Sequence, residues 1–111
     1  MWVGIDIGAT NAKAALVDDD GSVLASHQLP LGSAPDATTP ANMLGLIMRC
    51  AETCLGVVGQ TWADVSGIGA GCCHGSIKDG VVSGSANLHA DWENYPLQQD
   101  LETRTKVRCL S

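Results

Sequence analysis

The first seventeen residues constrain this chain more than any other stretch. From Met1 to Ile7 the apolar Val3, Ile5 and Ile7 alternate with Trp2, Gly4 and Asp6, and a second apolar run, Ala12 to Val17, follows after only Gly8-Ala9-Thr10-Asn11. A period of two bounded by glycine predicts a strand, and so short a connection predicts that the second strand pairs beside the first. The junction also suits a phosphate. A carboxylate at the end of a strand, Asp6, can hold hydrated Mg²⁺, while a tight turn at Gly8 aims backbone N–H groups and the Thr10 hydroxyl at phosphate oxygens. The same residues equally suit a plain β-hairpin, so the rest of the chain has to decide.

Asp18-Asp19-Asp20-Gly21 is a turn signal, and Ser22 to Leu29 resumes with Val23, Ala25, His27 and Leu29 on one face, completing a three-stranded meander. His27 reads as a packed or solvated side chain at the edge of that face. Leu31 to Pro40 is a loop by composition, and Thr39-Pro40 supplies an N-cap followed by proline at the first helical position. Leu44, Ile47, Met48, Ala51, Leu55 and Val58 then recur at helical spacing, with Gly59 as the stop and the methionines as packing residues. Asp64 to Gly71 reads as a short buried strand whose glycines imply close approach by a ligand or another segment. Cys72-Cys73-His74-Gly75-Ser76 is expected as the loop at its end. Lys78-Asp79-Gly80 is a turn into the brief strand Val81-Val82-Ser83, and Ser85 to Asn94 an irregular loop. Pro96 opens a second helix carrying Leu97 and Leu101, and Lys106 to Leu110 is expected as the last strand.

The order βββαβαβ, with a hairpin excursion before the second helix, describes an α/β fold: a mixed sheet with flanking helices. In such sheets ligands gather at the carboxyl ends of the strands, where Asp6, Gly8 and the 71–76 loop are expected to meet. Bulk properties narrow the classes further. Twelve acidic against six basic residues leave a net charge of -6 and no Lys/Arg cluster, which disfavours nucleic acid as a partner. No apolar run approaches about 18 residues and the N-terminus has no basic start, so neither a membrane span nor a signal peptide is expected and the chain reads as cytoplasmic. Five cysteines form an odd set better suited to reduced thiols than to a disulfide framework. Neither Cys50/Cys54 nor Cys72-Cys73-His74 reads as a structural zinc site.

Taken together the motifs resemble one family, the sugar kinases and repressors called ROK, within the actin-like ATPase and hexokinase superfamily of ribonuclease H-like folds. The resemblance spans residues 1–111. It rests on Gly4-Ile5-Asp6-Ile7-Gly8-Ala9-Thr10-Asn11-Ala12-Lys13 as the first phosphate motif and on Asp20-Gly21 with Val23-Leu24 in the next hairpin. Gly67-Ile68-Gly69 before the substrate loop, Asp79-Gly80-Val81-Val82, Ala86-Asn87-Leu88, Trp92, Pro96-Leu97 and Leu101 complete it.

The resemblance implies the N-terminal lobe of an ATP-dependent kinase acting on a hexose or an N-acetylhexosamine, with ATP and Mg²⁺ as cofactors. Asp6 would hold Mg²⁺ through water, and Gly8, Ala9, Thr10, Asn11 and Lys13 would form the ATP-phosphate motif. Gly75 and Asn87 would contact the sugar, and Trp92 would pack behind the Asn87 loop. Ala9 stands where a glycine is usual, which would strain the turn if that residue needed positive φ. The family's general base is an aspartate in an Asn-Asp pair directly after the strand expected at Lys106 to Leu110, so the resemblance places it beyond Ser111 together with the second lobe. The 111 residues alone are therefore expected to be inactive, and to self-associate, as a homodimer, through apolar surface near the Lys106–Leu110 edge. Two other readings stand beside the kinase: a sugar-responsive regulator without its DNA-reading domain, and a non-catalytic scaffold.

Overall fold

A computed structural model describes residues 1–72, 76–83 and 89–110. Three strands form the meander: β1 (Trp2–Ile7), β2 (Asn11–Val17) and β3 (Val23–Pro30). Helix α1 (Pro40–Val57) crosses back to β4 (Gly67–Cys72). A small hairpin, β5 (Ser76–Lys78) and β6 (Val81–Ser83), precedes helix α2 (Leu97–Thr105) and the two-residue strand β7 (Cys109–Leu110). The main sheet runs β3-β2-β1-β4-β7, with β1, β4 and β7 parallel and the meander antiparallel. This is the expected βββαβαβ mixed sheet, with β5 and β6 as a separate two-stranded excursion.

Alternation along the strands divides the sheet into two faces. Val3, Ile5 and Ile7 of β1, Ala12, Ala14 and Leu16 of β2, and Ile68 and Cys109 of the parallel strands are all buried. They meet Met43, Leu44, Ile47, Cys50, Ala51, Cys54 and Leu55 of α1 and Leu97 and Leu101 of α2 in one core. Removing each large aliphatic side chain from water contributes about 1.5–3 kcal/mol, so this face holds the helices to the sheet. Ala12 and Ala14 are small where α1 crosses, and the Cys50 and Cys54 thiols reach the carbonyls of Ala12 (3.6 Å) and Ala14 (3.8 Å). Burial pushes both thiols up, which keeps them protonated and apolar in character. The cysteines thus act as core residues, as expected.

The ends of α1 follow from its sequence. Thr39 Oγ1 accepts from the Asn42 N–H (3.3 Å) and Pro40 occupies the first turn. At the other end Gly59 adopts φ +69°, and the paired bonds Gly59 N–H to Gly56 O and Gln60 N–H to Leu55 O close the helix. Met48 and Val58, expected in the core, are only half-buried; Met43, Cys50 and Cys54 take the inner positions.

Two strand boundaries differ from expectation. Residues 62–64 form a 3-10 turn instead of the start of a strand, because the Asp64 carboxylate accepts from the Thr61 N–H (2.9 Å) and holds the chain in a turn until Gly67. Lys106 adopts φ +61° as the cap of α2, and the Thr105 hydroxyl accepts from Val107 N–H, so pairing begins only at Cys109 and β7 holds just two residues. In the stretch expected as irregular loop, Ala90–Trp92 forms a 3-10 turn. No helix among the described residues is long and apolar enough to cross a membrane.

Candidate functional site

The parallel pairing of β1 with β4 sets Asp6 beside Gly71 and Ile7 beside Cys72. The Gly8-Ala9-Thr10 connection therefore leaves the sheet beside Cys72, at the carboxyl ends of the central strands. The meeting of Asp6 with Gly71 is the part of the expected convergence that falls on described residues. Gly75 and Asn87, the expected sugar contacts, lie outside the described residues, as do Cys73 and His74.

Asp6 stands on the sheet face turned away from α1 and α2, directly across from Lys13 on β2. Directly opposed positions on antiparallel strands bring side chains within about 5 Å, so the pair sets opposite charges together at the site's rim. Gly4, Asp6, Lys13 and Ala15 border a shallow depression of ≈ 220 Å³ on this face. Beyond Asp6, a Cβ added at Gly4, Gly69 or Gly71 would meet nothing within 4 Å. At Gly8 the nearest atom would be the Asn11 carbonyl oxygen, 3.9 Å away, which is ordinary contact. These glycines are not required by protein packing. They leave an uncrowded ledge around Asp6 on which an external group can approach the backbone, and that space suits an ATP-phosphate group better than a filled surface would.

The turn itself is unstrained. Ala9 is not among the residues with positive φ, so the alanine costs nothing where a glycine is usual and the expected strain is absent. Thr10 is exposed, with its carbonyl accepting from the Leu31 N–H (3.1 Å), and Asn11 begins β2. That bond ties the base of the turn to the end of β3. Among the described residues no group of three or more His, Cys, Asp or Glu side chains could hold a metal directly, so a cation here would need water and ligand oxygens besides Asp6.

Sequence reasoning missed the brace behind the site. Trp92 is fully buried, and its Nε1–H donates to Thr38 O (2.6 Å), joining the stretch before α2 to the cap of α1. Tyr95 pairs with Val82 through Val82 N–H to Tyr95 O (3.0 Å), and Asn94 N–H donates to Val82 O (2.9 Å). The Tyr95 hydroxyl bonds the Asp100 carboxylate, which also takes a 2.6 Å bond from Arg104 Nε. These bonds tie Val82 to Asn94 and Tyr95, and Tyr95 in turn to the first turn of α2. Tyrosine followed five residues later by aspartate and four later by arginine was the available signal; the i, i+4 pair is legible, the tyrosine contact is not.

The comparisons agree with this fold. A model of the ROK family matches residues 2–110. The chain is 34% identical over 105 residues to a glucokinase of Thermotoga maritima, covering 93% of this chain and 30% of the relative. It is 31% identical over 105 residues to a glucokinase of Streptomyces coelicolor, covering 94% and 29%. The fold superposes with a TM-score of 0.77 on a ROK family glucokinase from Streptomyces griseus in complex with glucose and AMPPNP, at 24% identity over 97% of this chain and 31% of that one. An inorganic polyphosphate/ATP-glucomannokinase from Arthrobacter sp. strain KM gives 0.64, at 24% identity over 98% and 42%. The chain spans about 30% of the length of the curated relatives it matches. With the family model covering all but its first and last residues, the chain belongs to the ROK family.

Proposed function

We propose that this chain is the part of an ATP-dependent sugar kinase that carries the phosphate motif and one side of the sugar site, for a hexose or N-acetylhexosamine substrate. The observation that carries the reading is the placement of Asp6 beside Gly71, with the Gly8–Thr10 turn leaving β1 next to Cys72. Glucokinase relatives support the substrate class.

Mg²⁺-ATP, when bound, supplies the γ-phosphoryl group. Asp6 would hold the hydrated cation, and the backbone N–H groups of Gly8 to Asn11 with the Thr10 hydroxyl would orient phosphate oxygens. Lys13, opposite Asp6, adds positive charge on the phosphate side. Gly75 and Asn87 would bond the sugar, replacing the water bonds its hydroxyls lose on burial. These contributions amount to positioning and charge stabilisation.

The test is a coupled ADP-release assay with Mg²⁺-ATP and a panel of hexoses and N-acetylhexosamines, run on the protein extended to its relatives' length and on residues 1–111 alone. Sugar-dependent turnover by the extended protein, lost on Asp6→Ala, with none from the 111 residues, is expected. An extended protein that releases no ADP with any sugar would overturn the assignment.

A further inference from the structure

At the end of the sheet opposite Asp6, a second concavity opens between the segment leading into β4 and the segment joining α2 to β7. Its volume is ≈ 420 Å³, and its walls include Trp62, Val65, Ser66, Lys106 and Arg108. That size falls within the roughly 300–1,000 Å³ of small-molecule sites. Its charge is unlike that of the chain as a whole. The protein has twelve acidic and six basic residues, yet this cavity takes two of the six and no carboxylate lines it. Among the described residues neither Lys106 nor Arg108 forms an ion pair.

Arg108 is held from two sides. Arg108 Nε donates to Ser66 O (3.4 Å), and the guanidinium lies 5.4 Å from the centroid of the Trp2 ring. A guanidinium seated on an aromatic face by its Nε edge keeps its Nη groups for another acceptor and loses little rotamer freedom on binding one. Lys106 sits at φ +61°, a conformation that disfavours any residue with a Cβ and is usually given to glycine at a helix end. The carbonyl end of α2 accounts for part of the preference for a cation there. Lys106 also lines the cavity together with Arg108, which gives the same charge a second use.

We propose that this cavity binds a small oxyanion of two or more charges, a phosphoryl or dicarboxylate compound, at a site separate from the Asp6 end of the sheet. Its concavity favours a small ligand over a flat protein partner, and the paired cations with the Ser66 hydroxyl fit oxygens carried on one centre or two.

Residue-resolved NMR titration of the 111-residue chain with inorganic phosphate and, separately, with succinate tests this at constant ionic strength, with sodium chloride as the screening control. Saturable shifts at residues 62–66 and 105–108 are expected with at least one anion, and the tighter of the two names the ligand class. The informative variant is Lys106→Gly, which removes the charge while suiting the left-handed backbone. It should weaken binding by roughly tenfold, the loss expected for a charge-assisted bond, with a Tm equal to or above that of the parent. Lys106→Arg should keep the affinity. Shifts no larger than those in sodium chloride, shifts confined to residues 8–11, or undiminished binding by Lys106→Gly would each overturn the proposal.

Discussion

The Trp2 ring lies so close over Gly67 that a Cβ at position 67 would stand 2.3 Å from Trp2 Cζ3 and 2.9 Å from two further ring carbons. The parallel register sets the two residues side by side, and Arg108 covers the ring from the next strand. Of the three glycines of β4, only Gly67 is demanded by packing; Gly69 and Gly71 face open space.

Gly67→Ala should therefore destabilise the fold by about 1–3 kcal/mol, the range for overpacking. Gly4→Ala, on the same face with nothing within 4 Å, should stay within about 0.5 kcal/mol of the parent. Urea unfolding of the two variants checks this. Equal midpoints would show that the tryptophan moves aside freely.

Gly80 is constrained twice. Asp79 and Gly80 both have positive φ, at 53° and 79°, which makes the Asp-Gly pair the two-residue turn that suits a twisted hairpin. A Cβ at Gly80 would also lie 2.6 Å from Gln98 Oε1 and 2.7 Å from Gln98 Cβ. Gly80→Ala should cost about 1–3 kcal/mol, from backbone strain together with the clash. Adding Gln98→Ala should recover part of that loss and not all of it, because alanine keeps the Cβ that lies 2.7 Å away and the strain at φ +79° remains. Full recovery in thermal melts would assign the whole effect to the side chain.

The meander and α1 were legible because their signals are local. Alternation fixed the faces of β1 and β2, and Thr39-Pro40 and Gly59 fixed the ends of α1. Residues 64–66 and 106–108 were read as strand from apolar Val65 and Val107, although in each case a polar neighbour takes over the backbone: Asp64 at the Thr61 N–H, Thr105 at the Val107 N–H. Propensity sees the valine and not the competing bond. The convergence at the site was legible from strand order, since a parallel crossover brings both carboxyl ends to one edge. The Trp92–Thr38 bond spans 54 residues and left no local trace. The glycines of β4 illustrate the same limit, because their spacing gives no way to tell the one beneath Trp2 from the two facing open space.

The Tyr95–Asp100–Arg104 group contributes to the pH response at both ends of the scale. Burial and the bond to Asp100 push the Tyr95 phenol up to about 12 from an ordinary 10.0. For Asp100, burial alone would raise the carboxyl, but the bonds from Arg104 and Tyr95 outweigh it and hold the value below the usual carboxylate range. Because the folded value of Asp100 is lowered, its stabilisation is present above the ordinary carboxylate range and is lost as pH falls through the folded value. Tyr95 is raised, so its stabilisation is complete below 10 and is lost as pH rises toward 12. Tyr95 is the sole tyrosine, so tyrosinate absorbance reports it directly. The folded chain should titrate near 12, and Asp100→Asn should lower the midpoint only in part, since burial is the larger cause. A midpoint at 10 in the folded parent would show that the hydroxyl is neither buried nor bonded as described.

The roles proposed for Asp6 and Asn87 separate kinetically in the protein extended to its relatives' length. Asp6 would act through the cation on charge that builds on the transferring phosphoryl group, an interaction stronger in the transition state than in the bound substrate. Asp6→Asn keeps the shape of the side chain and removes its charge, so kcat should fall by at least about a hundredfold, consistent with losing an electrostatic contact to the reacting centre, while the sugar KM changes little. Asn87 would bond the sugar already in the ground state. Asn87→Ala should therefore raise the sugar KM by roughly tenfold, the equivalent of one or two hydrogen bonds, with a smaller effect on kcat. Lys13→Ala is the internal control: Lys13 faces Asp6 across the strand pair, so its loss should raise the ATP KM and leave the sugar KM unchanged. Steady-state kinetics with ATP and sugar varied independently resolves the three patterns, and one shared pattern for Asp6→Asn and Asn87→Ala would refute the division of labour.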